Sequence, residues 1–441
     1  MKADLKGTCM SIFQAGLNAV DPREAVKRFL HLEGDELRVG ERIYHLSYFR
    51  RIWVIGAGKA GAPMAQAIEE VMGEKVDRGL VIVKYGYTAA LEKINIVEAG
   101  HPIPDEAGQK GARALMEMVT ELRGEDLVFC LLSGGGSALL PYPVEGVSLS
   151  EKQLTTKLLL ECGADIHEIN AIRKHLSRIK GGGLTRTAYP ATIISLILSD
   201  VIGDDLDVIA SGPTVGDKST FDDCMKVIEK YHLNAQIPPT VLRHLRKGVA
   251  GKVEETPKPD APVFRNTLNM IVGSNIQCLE AAAQKAEELG FRTLILSSFI
   301  QGETREVARV HGALLKEVLR SGRPLSPPAC IISGGETTVT IRGKGKGGRN
   351  QEFVLACAME VAGWEGAVVF SAGTDGTDGP TDAAGAFADW KMVSKAHEMG
   401  LDPAIYLKEN NSYQFFERLN DLIITGPTNT NVMDTRILIA I

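Results

Sequence analysis

The sequence lacks the patterns of disulfide-rich, zinc-binding, membrane and nucleic-acid-binding proteins. Its seven cysteines are scattered and form no C-x-x-C pair, which argues against a disulfide framework or a zinc cage. The aliphatic run 193–198 is too short to cross a membrane, and residues 1–6 contain no apolar signal core. Lys plus Arg number 49 against 55 Asp plus Glu, so no basic field attracts nucleic acid. These absences predict a cytoplasmic protein with no membrane or nucleic-acid partner.

Several catalytic motifs are also missing. H-E-x-x-H and G-x-S-x-G do not occur, so hydrolase chemistry has no support, and His101, His167 and His175 are expected to be structural. The Walker A pattern G-x-x-x-x-G-K-[ST] is absent, so any phosphoryl transfer must use a different phosphate cradle. The aspartate-rich segment 373–385 does not have the spacing of an EF-hand calcium loop.

The length and the pattern of apolar runs predict more than one α/β domain. At 441 residues the chain exceeds the size at which one hydrophobic core usually keeps growing. Short β-branched runs, such as 52–55 and 270–272, end in glycine and are followed by helical patterns. This alternation predicts an α/β fold with a mainly parallel sheet. Three prolines and four charges exclude a helix or a central strand at 254–262, so we predict two domains, 1–255 and 263–441.

The first candidate ligand site is a glycine loop that begins at Gly56 and contains Gly58 and Lys59. It follows an apolar strand and opens a helix, the context in which glycines let the backbone approach an anion and helix amides attract phosphate or carboxylate. A tight turn with a solvated lysine is the alternative. An NAD site would favour an acidic residue at the end of the next strand, but that strand ends in Lys84, so the usual ribose contact is missing.

A second glycine loop and an acidic turn provide further candidates in the N-terminal half. The loop 133–137 has consecutive backbone amides that can wrap an oxyanion, with a hydroxyl at each end. Its residues are Ser133, Gly134, Gly135, Gly136 and Ser137. Asp200 follows the strand 192–198, at the end where open α/β sheets bind ligands, and is a candidate for holding Mg²⁺. Aspartates also form turns, which is the alternative interpretation of this segment.

The C-terminal half also has glycines after predicted strands, here accompanied by charged residues. Glu336 follows a strand that ends in glycines, and Arg349 and Asn350 open a helix after a basic glycine loop. An arginine at a helix start can form a fork with a carboxylate or phosphate. Asp375 lies just beyond the strand 367–370, where it can ligate Mg²⁺ or accept a hydroxyl proton.

Taken together, these segments resemble the glycerate 2-kinases of the MOFRL family, which have often been called hydroxypyruvate reductases. The resemblance covers nearly the whole chain. It rests on the segments 54–60, 99–105, 132–139, 172–182, 198–213, 333–337, 347–352, 373–385 and 425–431.

The resemblance implies an N-terminal Rossmann-like domain, a C-terminal MOFRL domain and an active-site cleft between them. There ATP, Mg²⁺ and D-glycerate would react to give 2-phosphoglycerate and ADP, with Lys59, Arg349 and Asp375 as the catalytic cluster. We expect the glycine loops, Asp200, Glu336 and Asn350 to contribute to substrate and ATP binding, with Asp200 and Asp375 as metal ligands. The protein is expected to be a monomer or a homodimer. The alternative function is an NAD(P)H-dependent hydroxypyruvate reductase, and a non-catalytic sensor is a third interpretation.

Overall fold

The strands form three sheets within residues 4–441, the part of the chain that the computed structural model describes. In chain order the strands are β1 (Leu30–Glu33), β2 (Glu36–Val39), β3 (Arg42–His45), β4 (Arg51–Ala57), β5 (Arg78–Lys84), β6 (Ile94–Ala99), β7 (Asp126–Leu132), β8 (Thr192–Leu198), β9 (Thr267–Gly273), β10 (Arg292–Ile300), β11 (Ala329–Gly335), β12 (Ala367–Gly373), β13 (Gly385–Asp389), β14 (Leu422–Ile423) and β15 (Asp434–Ala440). The strands β4, β7, β11, β12 and β15 are buried along almost their whole length, as expected for central strands covered on both faces.

Helices lie between most of these strands. They are α1 (Leu5–Ala19), α2 (Pro22–Phe29), α3 (Gly61–Met72), α4 (Glu106–Thr120), α5 (Gly136–Leu139), α6 (Leu149–Glu161), α7 (Ile166–His175), α8 (Gly183–Ala188), α9 (Phe221–Lys230), α10 (Pro239–Val249), α11 (Asn275–Glu288), α12 (Thr304–Ser321), α13 (Arg349–Glu360), α14 (Met392–Glu398), α15 (Pro403–Lys408) and α16 (Ser412–Leu419). Short 3₁₀ turns occur at Leu46–Tyr48, Gly73–Lys75, Ile202–Asp204, Ile209–Ser211 and Pro262–Phe264. The helices α6 and α7 start at capping boxes, in which Ser148 and Asp165 bond reciprocally with the glutamates three residues later.

The larger sheet of the N-terminal part has the strand order β6-β5-β4-β7-β8-β9. The β4–β5, β4–β7, β5–β6 and β7–β8 pairs are parallel. The chain builds the sheet outward from β4 in one direction and then, from β7, in the other, which is the order of a doubly wound sheet. The predicted α/β fold with a mainly parallel sheet is confirmed. The order reverses between β4 and β7, where such sheets bind ligands.

The C-terminal sheet is mixed and has the order β10-β11-β15-β12-β13-β14. The last strand, β15, lies between β11 and β12 and is antiparallel to both. Because β11 and β12 therefore run in the same direction, their carboxyl ends lie at one edge of the sheet, together with the start of β15. At this edge Asp434 is in register with Gly335 on one side and with Gly373 on the other.

The chain divides into two compact units, Pro22–Val272 and a second unit of Met1–Asp21 with Gly273–Ile441. This division differs from the predicted domains 1–255 and 263–441 for two physical reasons. The apolar face of α1 packs into a core of the second unit that includes Phe370 and Leu279. The segment 254–262 is bonded to the first unit, since the Glu255 carboxylate lies 2.6 Å from His175 Nε2 and the Pro257 carbonyl accepts from the Asp217 amide. Strand β9 then continues the first sheet.

All seven cysteines, which lie within the described residues, are free thiols, and six of them are buried. Cys130 and Cys330 lie inside central strands, where burial raises the pKa of each thiol to about 12 and keeps it protonated. Among the helices of residues 4–441, none combines the length and the apolar character needed to cross a membrane.

Candidate functional site

Two glycine loops of the first unit meet at the point where the strand order reverses. Strand β4 leads through Gly58 and Lys59 into α3, and the neighbouring β7 leads through the loop 133–135 into α5. The Lys59 amide donates to the Gly134 carbonyl at 2.8 Å, and the Ala60 amide donates to Ser133 Oγ at 3.0 Å. These bonds fix the two loops against each other, so the loop amides and the partly exposed Lys59 lie at one position of the sheet edge.

Close backbone approach requires glycine at two positions of these loops. Gly58 has φ +144°, and a Cβ there would lie 2.0 Å from Ser133 Oγ. Gly135 has φ +83°, and a Cβ would lie 2.8 Å from Cδ2 of His101. The His101 ring therefore packs directly on the second glycine loop. Gly56 differs because it lies inside β4, where a Cβ would meet the Leu131 carbonyl oxygen at 2.3 Å, so close strand packing accounts for this glycine.

The two serines of the second loop have different environments. Ser133 is buried, and its hydroxyl accepts the Ala60 amide, which gives it a structural role. Ser137 is partly exposed, and its hydroxyl bonds to Ser211 Oγ at 2.9 Å, which in turn donates to Asn170 Oδ1. Asp200 is partly buried just beyond β8, at the same edge of the parallel sheet. The structure thus brings Lys59, both glycine loops and Asp200 to one edge of the first unit.

The second unit places a buried carboxylate at the edge of its own sheet. Asp434, at the start of β15, is completely buried. It accepts a fork from Arg349, with Nε at 2.7 Å from one oxygen and Nη2 at 3.0 Å from the other. Asn350 Nδ2 and Arg436 Nη2 also donate to it, at 2.9 Å and 3.2 Å. One carboxylate therefore orients two guanidinium groups and an amide.

Arg349 has a second acidic neighbour, because its Nη1 donates to Glu336 Oε1 at 2.5 Å. Burial alone would lower the pKa of Arg349, but the carboxylates of Asp434 and Glu336 outweigh burial and raise the pKa above its ordinary value. The side chain is 32% exposed, so the group stays charged and accessible in a fixed orientation.

Asp378 caps the helix that carries Arg349. Its two carboxylate oxygens accept the amides of Asn350 and Gln351, at 3.0 Å and 2.9 Å, although Asp378 lies on a different loop. Burial raises the pKa of Asp378 to about 6, against the opposing effect of these hydrogen bonds. The start of α13 is thus held by a distant carboxylate, which explains why the helix begins at Arg349.

Asn350 is buried and fully bonded. Besides its bond to Asp434, its side-chain oxygen accepts from Ser371 Oγ at 2.6 Å. These contacts hold the Arg349–Asp434 pair in place, and direct contact of Asn350 with a ligand stays a prediction.

Asp375 lies two residues beyond β12 and is partly buried. Its carboxylate accepts from the amide and hydroxyl of Thr377.

The structure thus brings four predicted site residues to one edge of the second unit, namely Glu336, Arg349, Asn350 and Asp375. In the first unit it likewise brings Lys59, Asp200 and the glycine loops to one edge. The predicted cleft shared by the two domains stays a prediction. Sequence reasoning missed Asp434, Asp378 and Arg436. A signal for Asp434 and Arg436 was present, because two charges at the start of an otherwise apolar strand require buried partners.

The first unit has a doubly wound sheet with glycine loops at its switch point, and the second has a mixed sheet that presents a fixed arginine. These features define an α/β protein suited to anionic ligands. Family models match residues 8–246, as a domain of unknown function (DUF4147), and residues 329–434, as the MOFRL family. The chain belongs to this DUF4147–MOFRL family, and the resemblance seen in its motifs is confirmed.

Its relatives include proteins with glycerate kinase names. The chain is 42% identical to a glycerate 2-kinase of Pyrococcus horikoshii, over 97% of this chain and 96% of the relative. It is 42% identical to a D-glycerate 2-kinase of Thermotoga maritima, over 98% and 97% of the two chains. The crystal structure of a glycerate kinase from Thermotoga maritima superposes with a TM-score of 0.88 at 41% identity, covering 99% of each chain.

Proposed function

We propose that the protein is an ATP-dependent glycerate 2-kinase, which converts D-glycerate and ATP into 2-phospho-D-glycerate and ADP. The observation that carries the proposal is the full-length similarity to proteins named glycerate 2-kinase, at 42% identity. The geometry supports it, since phosphoryl transfer depends mainly on positioning and on neutralising charge. Each unit offers a cation at the edge of a sheet, Lys59 in the first and Arg349 in the second.

In the first unit, the loop that carries Lys59 and the loop 133–137 are proposed to bind phosphate or the substrate carboxylate. Amides at the switch point of a doubly wound sheet supply hydrogen bonds, and Lys59 adds a full positive charge. In the second unit, Arg349 is proposed to neutralise charge on the transferring phosphoryl group. Its orientation is fixed before substrate arrives, because Asp434 holds it through two hydrogen bonds.

Asp375 is proposed to accept the proton of the attacking C2 hydroxyl or to ligate a divalent cation. Within residues 4–441, no group of three or more His, Cys, Asp and Glu side chains is placed to hold a metal ion by itself. Mg²⁺ that arrives with ATP needs only one or two protein carboxylates, because phosphate oxygens and water complete its shell. Asp375 and Asp200 fit that requirement as partly buried carboxylates at strand ends. The cation would neutralise phosphate charge.

One set of assays tests the function. Purified protein is incubated with D-glycerate, ATP and Mg²⁺ while ADP formation is followed, and the product is offered to enolase, which accepts 2-phosphoglycerate directly. In parallel, oxidation of NADH and NADPH is followed with hydroxypyruvate. We expect ADP and an enolase substrate to form together. Nicotinamide oxidation without ADP release would instead identify a reductase, and binding of D-glycerate without turnover would identify a sensor.

The cellular setting is proposed from the state of the cysteines. Free thiols, six of them buried, fit a reducing compartment such as the cytoplasm. D-glycerate and ATP are the proposed partners, and the monomeric or homodimeric state stays a prediction.

A further inference from the structure

The first unit contains three neighbouring cations that the proposed mechanism does not use. Lys180 follows α7 and is only 2% exposed, and Lys152 in α6 is only 7% exposed. The Lys180 ammonium donates to the Ser137 carbonyl at 2.8 Å, and the Lys152 ammonium lies 3.4 Å from the Leu176 carbonyl. Arg173, near the end of α7, is partly exposed. We call these three side chains the cationic cluster.

No carboxylate of the described residues compensates the charge of the cluster. In the described part of the chain, none of its three side chains forms an ion pair, whereas the adjacent Lys174 pairs with Asp207 and with Asp217. Burying an unpaired charge is costly, and placing like charges together adds repulsion. The backbone carbonyls that accept from the lysines satisfy hydrogen bonds but supply no net negative charge. Within residues 4–441, the cluster therefore lacks a negative partner.

The titration of the three groups agrees with this geometry. Burial first, and then the charge of Arg173, lowers the pKa of Lys152 to about 7. Burial, with added repulsion from Lys152 and Arg173, lowers the pKa of Lys180 well below its ordinary value. Burial also lowers the pKa of Arg173. An anion placed among these groups would reverse the repulsion and favour their charged forms.

The position of the cluster indicates where such an anion would enter. Lys180 bonds the backbone of Ser137, the last residue of the second glycine loop, and Ser137 and Gly135 are both partly exposed. Gln153, next to Lys152 in α6, donates to the Pro104 carbonyl. The loop that contains His101 and Pro104 therefore lies near the helix that carries Lys152. The cluster thus lies beneath the loop at the switch point of the sheet, with Arg173 as its accessible member.

We propose that Lys152, Arg173 and Lys180 bind an oxyanion of a substrate beside the second glycine loop. Arg173 contacts the oxyanion directly, and the two lysines raise the positive potential beneath it. The chemistry of the site suits a carboxylate or a phosphate, so D-glycerate and ATP are the two sources to be distinguished. This inference rests on the proposed function, because it assigns further binding residues to that reaction.

Steady-state kinetics of Arg173→Met and Lys152→Met test the proposal. Arg173 is partly exposed, so its replacement leaves the core intact, and Arg178→Met is the matched control because Arg178 is an exposed arginine of the same segment. We expect Arg173→Met and Lys152→Met to raise one KM at least about tenfold, on the scale of a lost charge-assisted bond, with kcat within about threefold. A higher KM for D-glycerate identifies the carboxylate, and a higher KM for ATP identifies the phosphate. Folded variants with both KM values within about twofold of the parent would overturn the proposal.

A binding measurement separates this proposal from the proposed function. Thermal unfolding is followed with inorganic phosphate and with D-glycerate as probes, and with glycerol as a neutral analogue. We expect phosphate or D-glycerate to stabilise the parent protein and the Arg178→Met variant but not Arg173→Met, and glycerol to have no effect. If the parent fails to phosphorylate D-glycerate but keeps this pattern, the function is wrong and the anion site stands. If turnover is normal and the pattern is absent, the anion site is wrong. Misfolding of Lys152→Met leaves the Arg173→Met result decisive.

Discussion

Replacement of Asp434 by asparagine tests whether a buried carboxylate orients Arg349. Asparagine has nearly the same shape, so the change removes charge and one acceptor without leaving a cavity. In the native protein, Asp434 accepts four hydrogen bonds, two from Arg349 and one each from Arg436 and Asn350. The NH₂ group of asparagine would stand opposite N–H donors that now bond Asp434, and a donor cannot accept their hydrogen bonds.

The expected cost follows from these contacts. Asp434 is 0% exposed, and Arg436 is 1% exposed with Nε and Nη1 already lacking partners among the described residues. Removing the carboxylate leaves the Arg436 charge buried without its nearest counter-charge, a change that costs about 3–5 kcal/mol. For a unit of this size, that loss lowers the melting temperature by roughly 6–20 °C. Arg349 loses its fork at the same time, so we expect kcat to fall at least about tenfold.

Chemical denaturation and the ADP assay measure the two effects separately. Glu336→Gln is the control for stability, because Glu336 also bonds Arg349 but is 46% exposed, and exposed ion pairs contribute about 1 kcal/mol or less. An Asp434→Asn protein as stable as the Glu336→Gln protein would refute the assignment of Asp434 as the partner that compensates these arginines. Normal kcat in a folded Asp434→Asn protein would refute its role in orienting Arg349.

Three further perturbations have definite expected outcomes. Each predicted catalytic residue supplies a preorganised charge, so its replacement should lower kcat at least about a hundredfold in ADP-release assays. The variants are Lys59→Ala, Arg349→Ala and Asp375→Asn, and their circular dichroism should stay native. His311 is buried and its pKa is lowered to about 4 by burial, so the unfolded chain binds its proton first as the pH falls. Between pH 6.5 and pH 4 the parent should lose about 3 kcal/mol of unfolding free energy that His311→Gln does not lose. Gly58→Ala should destabilise the fold and weaken turnover, because its Cβ would overlap a serine hydroxyl.

Each of these perturbations has a control. His397→Gln replaces an exposed histidine of the same unit and leaves His311 in place, so this variant should keep the acid loss that is assigned to His311. Parallel pH profiles for the parent and His311→Gln would contradict the assignment. Gly86→Ala also places a side chain at a positive φ, here +81°, but nothing lies within 4 Å of the new Cβ, so it should cost only about 1–2 kcal/mol. Equal losses for Gly58→Ala and Gly86→Ala would show that the two loops are not tightly packed. Near-normal kinetics of a folded Lys59, Arg349 or Asp375 variant would remove that residue from the site.

The strands that lead into glycine-containing loops could be predicted from sequence, because their apolar runs are continuous and glycines mark the loops that follow. β4, β7 and β12 are of this kind, and the loops that follow them carry Lys59, the second glycine loop and Asp375. The three-stranded sheet β1–β3 gave a weaker signal, because its strands are only four residues long and largely exposed. Short, half-exposed strands do not produce the apolar runs on which the predictions depended.

The partners of the charged residues could not be predicted, because they come from distant parts of the chain. Arg349 and Asp434 are 85 residues apart in sequence and meet only because β15 inserts between β11 and β12. The membership of α1 in the second unit also depends on a distant segment, because α1 packs against the apolar face of α11. Local pattern identifies an element, whereas strand order decides which charges become neighbours.

The contacts of Arg349 also indicate how a phosphoryl group would reach it. Arg349 and Arg436 together face Asp434 and Glu336, so the formal charges of this group cancel while Glu336 is in place. Asp434 is completely buried and shared by both arginines, so an incoming anion cannot replace it without breaking the network. Glu336 is 46% exposed and bonds only the outer nitrogen of Arg349. We therefore expect an anionic substrate to displace Glu336 and to meet an arginine whose direction Asp434 has already fixed. On this proposal, Asp434 preserves the orientation of Arg349, and Glu336 stays paired with Arg349 until substrate arrives.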